Sequence, residues 1–228
     1  MESTISMKTL KVIKNYPIFS LWLIFSLLVF FVPQIDLTVS GWFYHQELGF
    51  HLKNWWLAKW LYDIFAHKIV IYILFLSVSW LLLFIPKLEK LERRKYYQKS
   101  LVYWLLCILL SGIVVEAVLK NNWHRARPAH IEQFGGEKAF SKAYIISDQC
   151  DKNCSFVSGH AAIGYSFLVL GFIFRFRRWF VPGVVLGVAL SFTRIIQGGH
   201  FFSDVFIAGF IVYGICYLLD IIYLHKIK

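Results

Sequence analysis

Long apolar runs, separated by shorter segments that carry most of the charge, are the dominant pattern of this chain. A transmembrane helix needs about 20 largely apolar residues. We therefore predict an all-α integral membrane protein with six transmembrane helices. The fifth run reaches span length only if its helix continues towards Gln197. The predicted spans are residues 15–35, 69–86, 101–119, 155–174, 179–193 and 205–224.

The positive charges of the connecting segments predict how these helices are oriented. More than half of the 24 Lys and Arg residues lie before the first span, after the second, after the fourth and after the sixth. Lysine and arginine accumulate in the cytoplasmic loops of membrane proteins. Both the N- and C-termini are therefore predicted to be cytoplasmic, and the remaining loops face the outer side.

The first outer loop, residues 36–68, contains a stretch with Trp55, Trp56 and Trp60. Tryptophan is enriched at the membrane–water boundary. We predict a short interfacial helix that lies on the outer face of the membrane. An amphipathic helix that packs on the bundle is an alternative that fits the same pattern.

The composition supports a membrane protein. The chain of 228 residues is 58% hydrophobic and 16% charged, with a mean hydropathy of +0.60, whereas soluble domains are about 45–50% apolar and about 25% charged. A disordered chain is excluded and a soluble globule is disfavoured. The net charge of +11 has to face anionic lipid or an anionic substrate, and no nucleic-acid partner is expected. Because no internal repeat is visible, we predict one domain over residues 1–228.

Three polar motifs interrupt the apolar pattern within about residues 116–210. K-x6-R-P at residues 120–128 follows the third span, S-G-H at 158–160 opens the fourth, and R-x5-H-x3-D at 194–204 joins the fifth to the sixth. Each motif alone is also common at ordinary helix ends. The predicted orientation places all three on one face of the membrane, and their joint occurrence favours a functional site.

The cations of these motifs suit a phosphate ligand. Lys120, Arg127 and Arg194 provide three positive charges; arginine binds phosphate oxygens in pairs, and lysine adds a point charge. Ser158 and Gly159 stand at a helix N-terminus, where free N–H groups and the helix dipole favour anions. Such groups offset the charge that develops on a phosphoryl group during its transfer.

Two histidines and a carboxylate supply the remaining chemistry. His200 and Asp204 lie four residues apart and would share one face of a helix. We expect the carboxylate to fix the imidazole tautomer and leave the other nitrogen free to attack phosphorus. His160 then protonates the leaving oxygen and activates the water that hydrolyses the phosphohistidine. No carboxylate cluster accompanies the histidines, so we predict neither a metal nor another cofactor.

At these motifs the sequence resembles the type 2 phosphatidic acid phosphatase (PAP2) superfamily. The signature reads KNNWHRARP, VSGH and TRIIQGGHFFSD, with Val157 and Thr193 in place of a proline and a serine. The resemblance implies a six-helix core, with His200 as the nucleophile, Asp204 as its partner and His160 as the acid–base. It also assigns phosphate binding to Lys120, Arg127, Ser158, Gly159 and Arg194.

Stretches beside the motifs are similar to the bacterial lipid A 4'-phosphatase branch of this superfamily. They read EQFGG, QCDKNCSFVSG and QGGHFFSD and lie within residues 132–204. This resemblance implies a phosphorylated glycolipid substrate, reached from the periplasmic face of the bacterial inner membrane. Further basic residues of the same outer loop are candidates for contacting a second phosphate, although each is also typical of a solvated loop. They are Arg125, Lys138, Lys142 and Lys152.

Cys150 and Cys154 lie in this outer loop. A disulfide bond between them would be stable in an oxidising periplasm, and free thiols are the alternative. Glu116 precedes Lys120 by one helical turn, and we expect the two side chains to pair.

Other functions are compatible with the sequence. Among lipid phosphatases, the alternatives are a lipid A 1-phosphatase, an undecaprenyl-diphosphate phosphatase and a phosphatidylglycerophosphate phosphatase. A non-catalytic anion-binding membrane protein or transporter and a vanadate-dependent peroxidase represent other classes. The sequence carries no prediction of the oligomeric state.

Overall fold

The computed structural model of the chain describes residues 17–67, 79 and 94–224. The predicted second span and the basic N- and C-terminal segments lie outside these residues, apart from Ser79. The described part is mostly helical, and β1 (Tyr44–His45) pairs with β2 (Gly49–Phe50) in a small antiparallel hairpin. The helices are α1 (Pro17–Phe31), α2 (Gln34–Gly41), α3 (Trp56–His67), α4 (Arg94–Gly112), α5 (Gly159–Tyr165), α6 (Val169–Phe174), α7 (Val181–Ile196) and α8 (Phe202–Leu219).

Three predicted spans are confirmed as segments that are long and apolar enough to cross a membrane. They lie within Gln98–His130, Arg177–Ile196 and Phe202–Tyr223. The fifth span, which is short by its apolar run alone, reaches this length because α7 continues to Ile196 and a 3-10 turn precedes it. These segments correspond to the third, fifth and sixth predicted spans.

The first predicted span is not one straight helix. α1 ends at Phe31, and α2 leaves it at an angle of 86°. Pro33 stands at the N-cap of α2, and proline lacks the N–H group that a continuous helix needs at this point. The bend carries Asp36 of α2 into the buried interior, where its side chain is 1% exposed.

The fourth predicted span, residues 155–174, is also shorter than expected. Its helix begins only at Gly159, because Ser158 is the N-cap. The N–H of Ser155 donates a hydrogen bond to the carbonyl of Arg125 at 2.8 Å, outside the helix. A 3-10 turn, Ser166–Leu168, then separates α5 from α6. The apolar segment Gly159–Phe174 is therefore below the length of about 20 residues that an ordinary span needs.

Small residues let α5 approach α7 closely. A Cβ atom at Gly164 would lie only 2.7–2.9 Å from the backbone of Leu186 and Gly187. Close approach of helix backbones through small residues is typical of membrane bundles, in which van der Waals packing replaces the hydrophobic effect. This packing fixes the start of α5 beside the end of α7, where two of the polar motifs lie.

The outside of the described bundle is apolar. Large hydrophobic side chains cover the free faces of α1 and α7, and so broad an apolar surface is unusual for a soluble monomer. An apolar surface of this kind suits contact with lipid chains. The exposed hydrophobic side chains include Phe19, Leu21, Ile24, Phe31, Val185 and Val188.

Candidate active site

The three polar motifs meet at one end of the helix bundle. The N–H of Ser158 donates to the carbonyl of Asp204 at 3.3 Å, and the imidazole of His200 contacts the carbonyl of Ser155. The carboxylate of Glu116, one turn before Lys120, touches Gly159. Residues that are far apart in sequence therefore form one site.

A stretch of π-helix connects the end of α4 to the start of the first motif. Residues Ile113–Leu119 form π-helical turns, and one α-helical turn, Lys120–Trp123, follows. π-Turns are frequent at functional sites because they change the direction in which side chains point. Lys120 Nζ lies 2.9 Å from Glu116 Oε2, which confirms the expected ion pair.

The second motif caps α5. The Ser158 hydroxyl accepts a hydrogen bond from the N–H of Ala161, as expected of a serine N-cap. Ser158 and Gly159 are both buried. The N-terminus of α5 therefore faces the site rather than bulk solvent, in a position that favours an anion.

The third motif begins with a tight helix ending. Gly198 has a φ of +64°; its N–H donates to the carbonyl of Ile195, and that of Gly199 donates to the carbonyl of Arg194. This is a Schellman ending, which favours glycine at its left-handed position. The Arg194 guanidinium lies against Gly199 and donates to Gln197 Oε1 at 2.6 Å.

His200 is buried and held in one tautomer. Its Nδ1 lies 2.6 Å from the carbonyl oxygen of Ser155, and because a carbonyl only accepts, Nδ1 carries the proton. Burial, followed by the positive charges of Arg194, Arg127 and Lys120, holds the pKa of His200 well below its usual value. The imidazole is therefore neutral at physiological pH, with a lone pair on Nε2.

The expected direct pairing of His200 with Asp204 is wrong. Asp204 accepts hydrogen bonds from Arg125 Nη1 at 2.6 Å, from the hydroxyl of Ser155 and from the N–H of Phe201 at 2.9 Å. The i, i+4 rule requires both residues to be in the helix. Here α8 begins at Phe202, so His200 precedes the helix. Asp204 reaches His200 only through Ser155, whose hydroxyl it binds and whose carbonyl holds the imidazole.

Arg125, for which the sequence left open a contact to a second phosphate or a solvated loop position, is fully buried instead. It donates to Asp36 Oδ2 at 2.8 Å and to Asp204, and its guanidinium lies 4.2 Å from the ring centroid of Phe201. Asp36 in turn accepts from the N–H of Ser203 at 2.8 Å. Sequence reasoning missed Asp36; its one signal is a carboxylate at the end of an apolar run. We call Asp36, Arg125, Asp204 and Ser155 the buried ionic network.

α3 packs on the bundle beside the site and brings Tyr62 into it. The Tyr62 ring stacks on the His160 imidazole with centroids 4.6 Å apart, and the Arg194 guanidinium lies 4.9 Å from the same ring. Trp56 and Trp60 remain exposed on the other side of α3. No feature of the sequence distinguishes Tyr62 from the other tyrosines of the chain, which has 12 in all.

A cavity of about 350 Å³ opens at this end of the bundle. Arg127, Arg194 and His130 line it together with Lys53 and Lys59, which come from the segment around the start of α3. The remaining candidates for a second phosphate contact are exposed and do not line this cavity: Lys138, Lys142 and Lys152.

A family model described as the PAP2 superfamily matches residues 100–227. The chain belongs to the PAP2 superfamily. It is 38% identical over 208 residues to a lipid A 4'-phosphatase of Francisella tularensis subsp. novicida, which covers 86% of this chain and 87% of that protein. It is 38% identical over 102 residues to a lipid A 4'-phosphatase of Rhizobium leguminosarum (42% and 44% of the two chains). A lipid A 1-phosphatase of Rhizobium johnstonii is 33% identical over 107 residues (47% and 41%). No solved structure matches the chain.

A disulfide-closed loop orients one arginine of the candidate site. Cys150 and Cys154 form a disulfide bond, and Asn153 between them has a left-handed backbone. The Arg127 Nε donates to the carbonyl of Asn153 at 2.8 Å, and the same guanidinium donates to the Asn153 side chain. The loop therefore holds Arg127 at the cavity wall.

Loss of this disulfide is expected to weaken catalysis rather than folding. In a Cys150→Ser/Cys154→Ser variant, the loop that holds Arg127 loosens, and kcat/KM for phosphate release should fall about 10- to 100-fold, because small misplacements of a positioning group are costly. A thiol reductant should have the same effect on the wild-type PAP2 protein and none on the variant. Full activity of the variant would show that Asn153 holds Arg127 without the disulfide.

The ring of Tyr62, rather than its hydroxyl, is expected to matter. Tyr62→Phe keeps the stack on His160 and the contact with Arg194, so kcat should change less than about threefold. Tyr62→Leu removes both contacts and should lower kcat about tenfold, with a shift in the pH profile, since His160 is the expected acid–base. Phosphate release measured against pH in both variants checks this. Equal kcat and equal pH profiles in the two variants would contradict it.

Proposed function

We propose that this PAP2 protein is a metal-independent lipid phosphatase that hydrolyses a phosphate monoester of lipid A, with the 4' position as its target. One observation carries the proposal: the carbonyl of Ser155 orients the imidazole of His200, and the charges of Arg194, Arg127 and Lys120 help to keep it neutral. Relatives named lipid A 4'-phosphatase support the choice of lipid.

In the proposed reaction, His200 Nε2 attacks phosphorus and the bond from phosphorus to the lipid oxygen breaks. His160 donates its proton to that leaving oxygen. Lys120, Arg127, Arg194 and the N–H groups of α5 hold the non-bridging oxygens and offset their growing charge. His160, now neutral, then takes a proton from water. The resulting hydroxide attacks phosphorus, the P–N bond breaks, and inorganic phosphate leaves with His200 restored.

Six spans with both termini in the cytoplasm remain the arrangement that we propose for the whole chain. Arg175, just after α6, pairs with Asp220 at the end of α8 at 2.7 Å. The ends of these two helices therefore lie together, and we assign them to the cytoplasmic face with the basic residues Arg177 and Arg178. The phosphate site lies at the opposite ends of α5 and α8, and we assign it to the periplasmic face of the inner membrane.

α3 supports this placement of the site. The exposed fractions of Trp56 and Trp60 are 71% and 56%, and tryptophan favours the level of lipid headgroups. We propose that α3 lies at the outer-leaflet interface while its inner face carries Tyr62 to the site. A phosphorylated headgroup in that leaflet then meets the cavity without leaving the membrane.

Mass spectrometry of lipid A tests the proposal. The protein is expressed in a bacterial host that lacks this activity, and the phosphate lost from lipid A is located by fragmentation. Loss of the 4' phosphate is expected. Loss of the 1-phosphate would assign the second candidate function, which the 33% identical 1-phosphatase favours.

Retention of both phosphates on lipid A would overturn the proposed substrate. Phosphate release from undecaprenyl diphosphate and from phosphatidylglycerophosphate in detergent then distinguishes the other lipid phosphatases. If no lipid releases phosphate, a non-catalytic anion-binding role replaces the enzyme.

A further inference from the structure

The cavity of this site is larger than one phosphate group requires. Its volume of about 350 Å³ falls within the range of about 300–1,000 Å³ that is typical of pockets for whole small ligands. The proposed function assigns one phosphate to Arg127 and Arg194, which line the wall that we call inner. The outer wall is built from the segment before α3 and the first turn of that helix, which none of the three motifs includes.

Two lysines of this outer wall have no assigned role. Lys53 follows β2, and its backbone N–H donates to the carbonyl of Phe50 at 2.9 Å. Lys59 lies in the first turn of α3, and its N–H donates to the carbonyl of Trp55 at 2.9 Å. Both backbones are therefore hydrogen-bonded within ordered turns, and both side chains are exposed where they line the cavity.

Positive charges outnumber negative charges among the described residues that line the cavity. Lys53, Lys59, Arg127 and Arg194 line it, whereas Asp63 is the one carboxylate among its described lining residues. Within the described ranges, neither lysine forms an ion pair or a side-chain hydrogen bond. A concave surface with several like charges raises the local concentration of the opposite charge. The outer half of the cavity thus suits a second anion.

We propose that Lys53 and Lys59 form a second anion-binding subsite, which takes a phosphate or carboxylate group next to the phosphate that is hydrolysed. The proposal rests on the proposed function, because it assigns the scissile phosphate to Arg127 and Arg194. The second anion comes either from the same lipid, as its other phosphate, or from a neighbouring anionic phospholipid. The exposed tryptophans of α3 beside these lysines place the subsite at headgroup level.

The experiment compares a Lys53→Gln/Lys59→Gln variant with a matched control, Lys138→Gln/Lys142→Gln. The control removes the same charge from exposed residues outside the cavity. Phosphate release is measured on bisphosphorylated lipid A and on monophosphorylated lipid A that keeps only the scissile phosphate, both in neutral detergent micelles. We expect KM for the bisphosphorylated lipid to rise about 10- to 30-fold in the test variant alone, with kcat unchanged, as for two lysines near an anionic headgroup. KM for the monophosphorylated lipid should stay within twofold.

A second arm distinguishes the sources of the anion. The same lipids are presented in phosphatidylcholine vesicles with or without phosphatidylglycerol. An effect of the lysine substitutions that needs phosphatidylglycerol and is equal for both lipids assigns the subsite to a neighbouring phospholipid. If the test variant matches the control in micelles and in both kinds of vesicle, the subsite does not exist.

A third arm does not depend on turnover. The dissociation constants of the two lipids are measured by native mass spectrometry on the His200→Gln background, with and without the lysine substitutions. If lipid A proves not to be hydrolysed, the proposed function fails, yet a 10- to 30-fold weaker binding of the bisphosphorylated lipid alone would still support the subsite. Equal dissociation constants with and without the two lysines, together with no effect of the lysine substitutions in vesicles that contain phosphatidylglycerol, would overturn it.

Discussion

His200→Gln is expected to abolish phosphate release. Removing a covalent nucleophile lowers kcat by a factor on the order of 10⁴ or more, because the remaining groups bind the phosphate but cannot form the intermediate. Glutamine retains an N–H donor that can reach the Ser155 carbonyl, which holds His200 Nδ1 at 2.6 Å in the wild-type protein. The variant should therefore fold and bind lipid with little change in affinity.

Two measurements check this expectation. Steady-state phosphate release gives kcat, and rapid acid-free denaturation after mixing with ³²P-labelled lipid captures the phosphohistidine. The wild-type protein should carry label and the variant none. His45→Gln is the matched control, because His45 is exposed on β1; it should behave as wild type. Labelled protein or substantial turnover in His200→Gln would remove His200 from the role of nucleophile.

The sequence predicted the features of the site that depend on interactions between residues close together in the chain. Ser158 caps α5 and Glu116 pairs with Lys120, since both features involve partners within four positions and follow from helix geometry. The motifs also identified Arg127 and Arg194, two of the cations that line the cavity. The π-turns before Lys120 and the break between α5 and α6 were not predicted, because they arise from packing between helices rather than from local preference.

The sequence failed where a partner comes from a distant element. In the sequence, Arg125 stands among polar residues like an arginine of an exposed loop. Only its hydrogen bond of 2.8 Å to Asp36, 89 positions earlier, shows that its side chain lies in the interior. Tyr62 is likewise selected by contacts with His160 and Arg194, both far along the chain. The predicted contact between His200 and Asp204 required both residues to lie in one helix. It failed because the helix begins at Phe202, two residues after His200.

The buried ionic network links these observations to catalysis. Arg125 holds Asp204, Asp204 holds the hydroxyl of Ser155, and the carbonyl of Ser155 holds His200. A chain of buried charge-assisted hydrogen bonds is strong only while each group is satisfied. The position of His200, the proposed nucleophile, therefore depends on Asp36 and Arg125, neither of which lines the cavity.

Arg125→Met is expected to be the most destabilising single substitution in the described part of the chain. It leaves Asp36 and Asp204, which are 1% and 0% exposed, as buried carboxylates without a counter-charge. Breaking a buried ion pair by removing one partner costs about 3–5 kcal/mol. Thermal unfolding in detergent should show a large loss of stability. Asp36→Asn added to Arg125→Met removes one of the two unpaired charges and should recover part of that loss.

If Arg125→Met does not fold, Arg125→Lys tests whether Arg125 positions His200. Lysine retains the charge but not the planar fork that reaches Asp36 and Asp204 together, so we expect a folded protein in which Asp204 no longer fixes Ser155 and His200. Its kcat should fall about 10- to 100-fold, while KM changes little because the cations that bind phosphate remain. Arg177→Met, at an exposed arginine, is the control for both measurements. An Arg125→Met protein that melts and turns over like Arg177→Met would show that the network neither stabilises the fold nor positions His200.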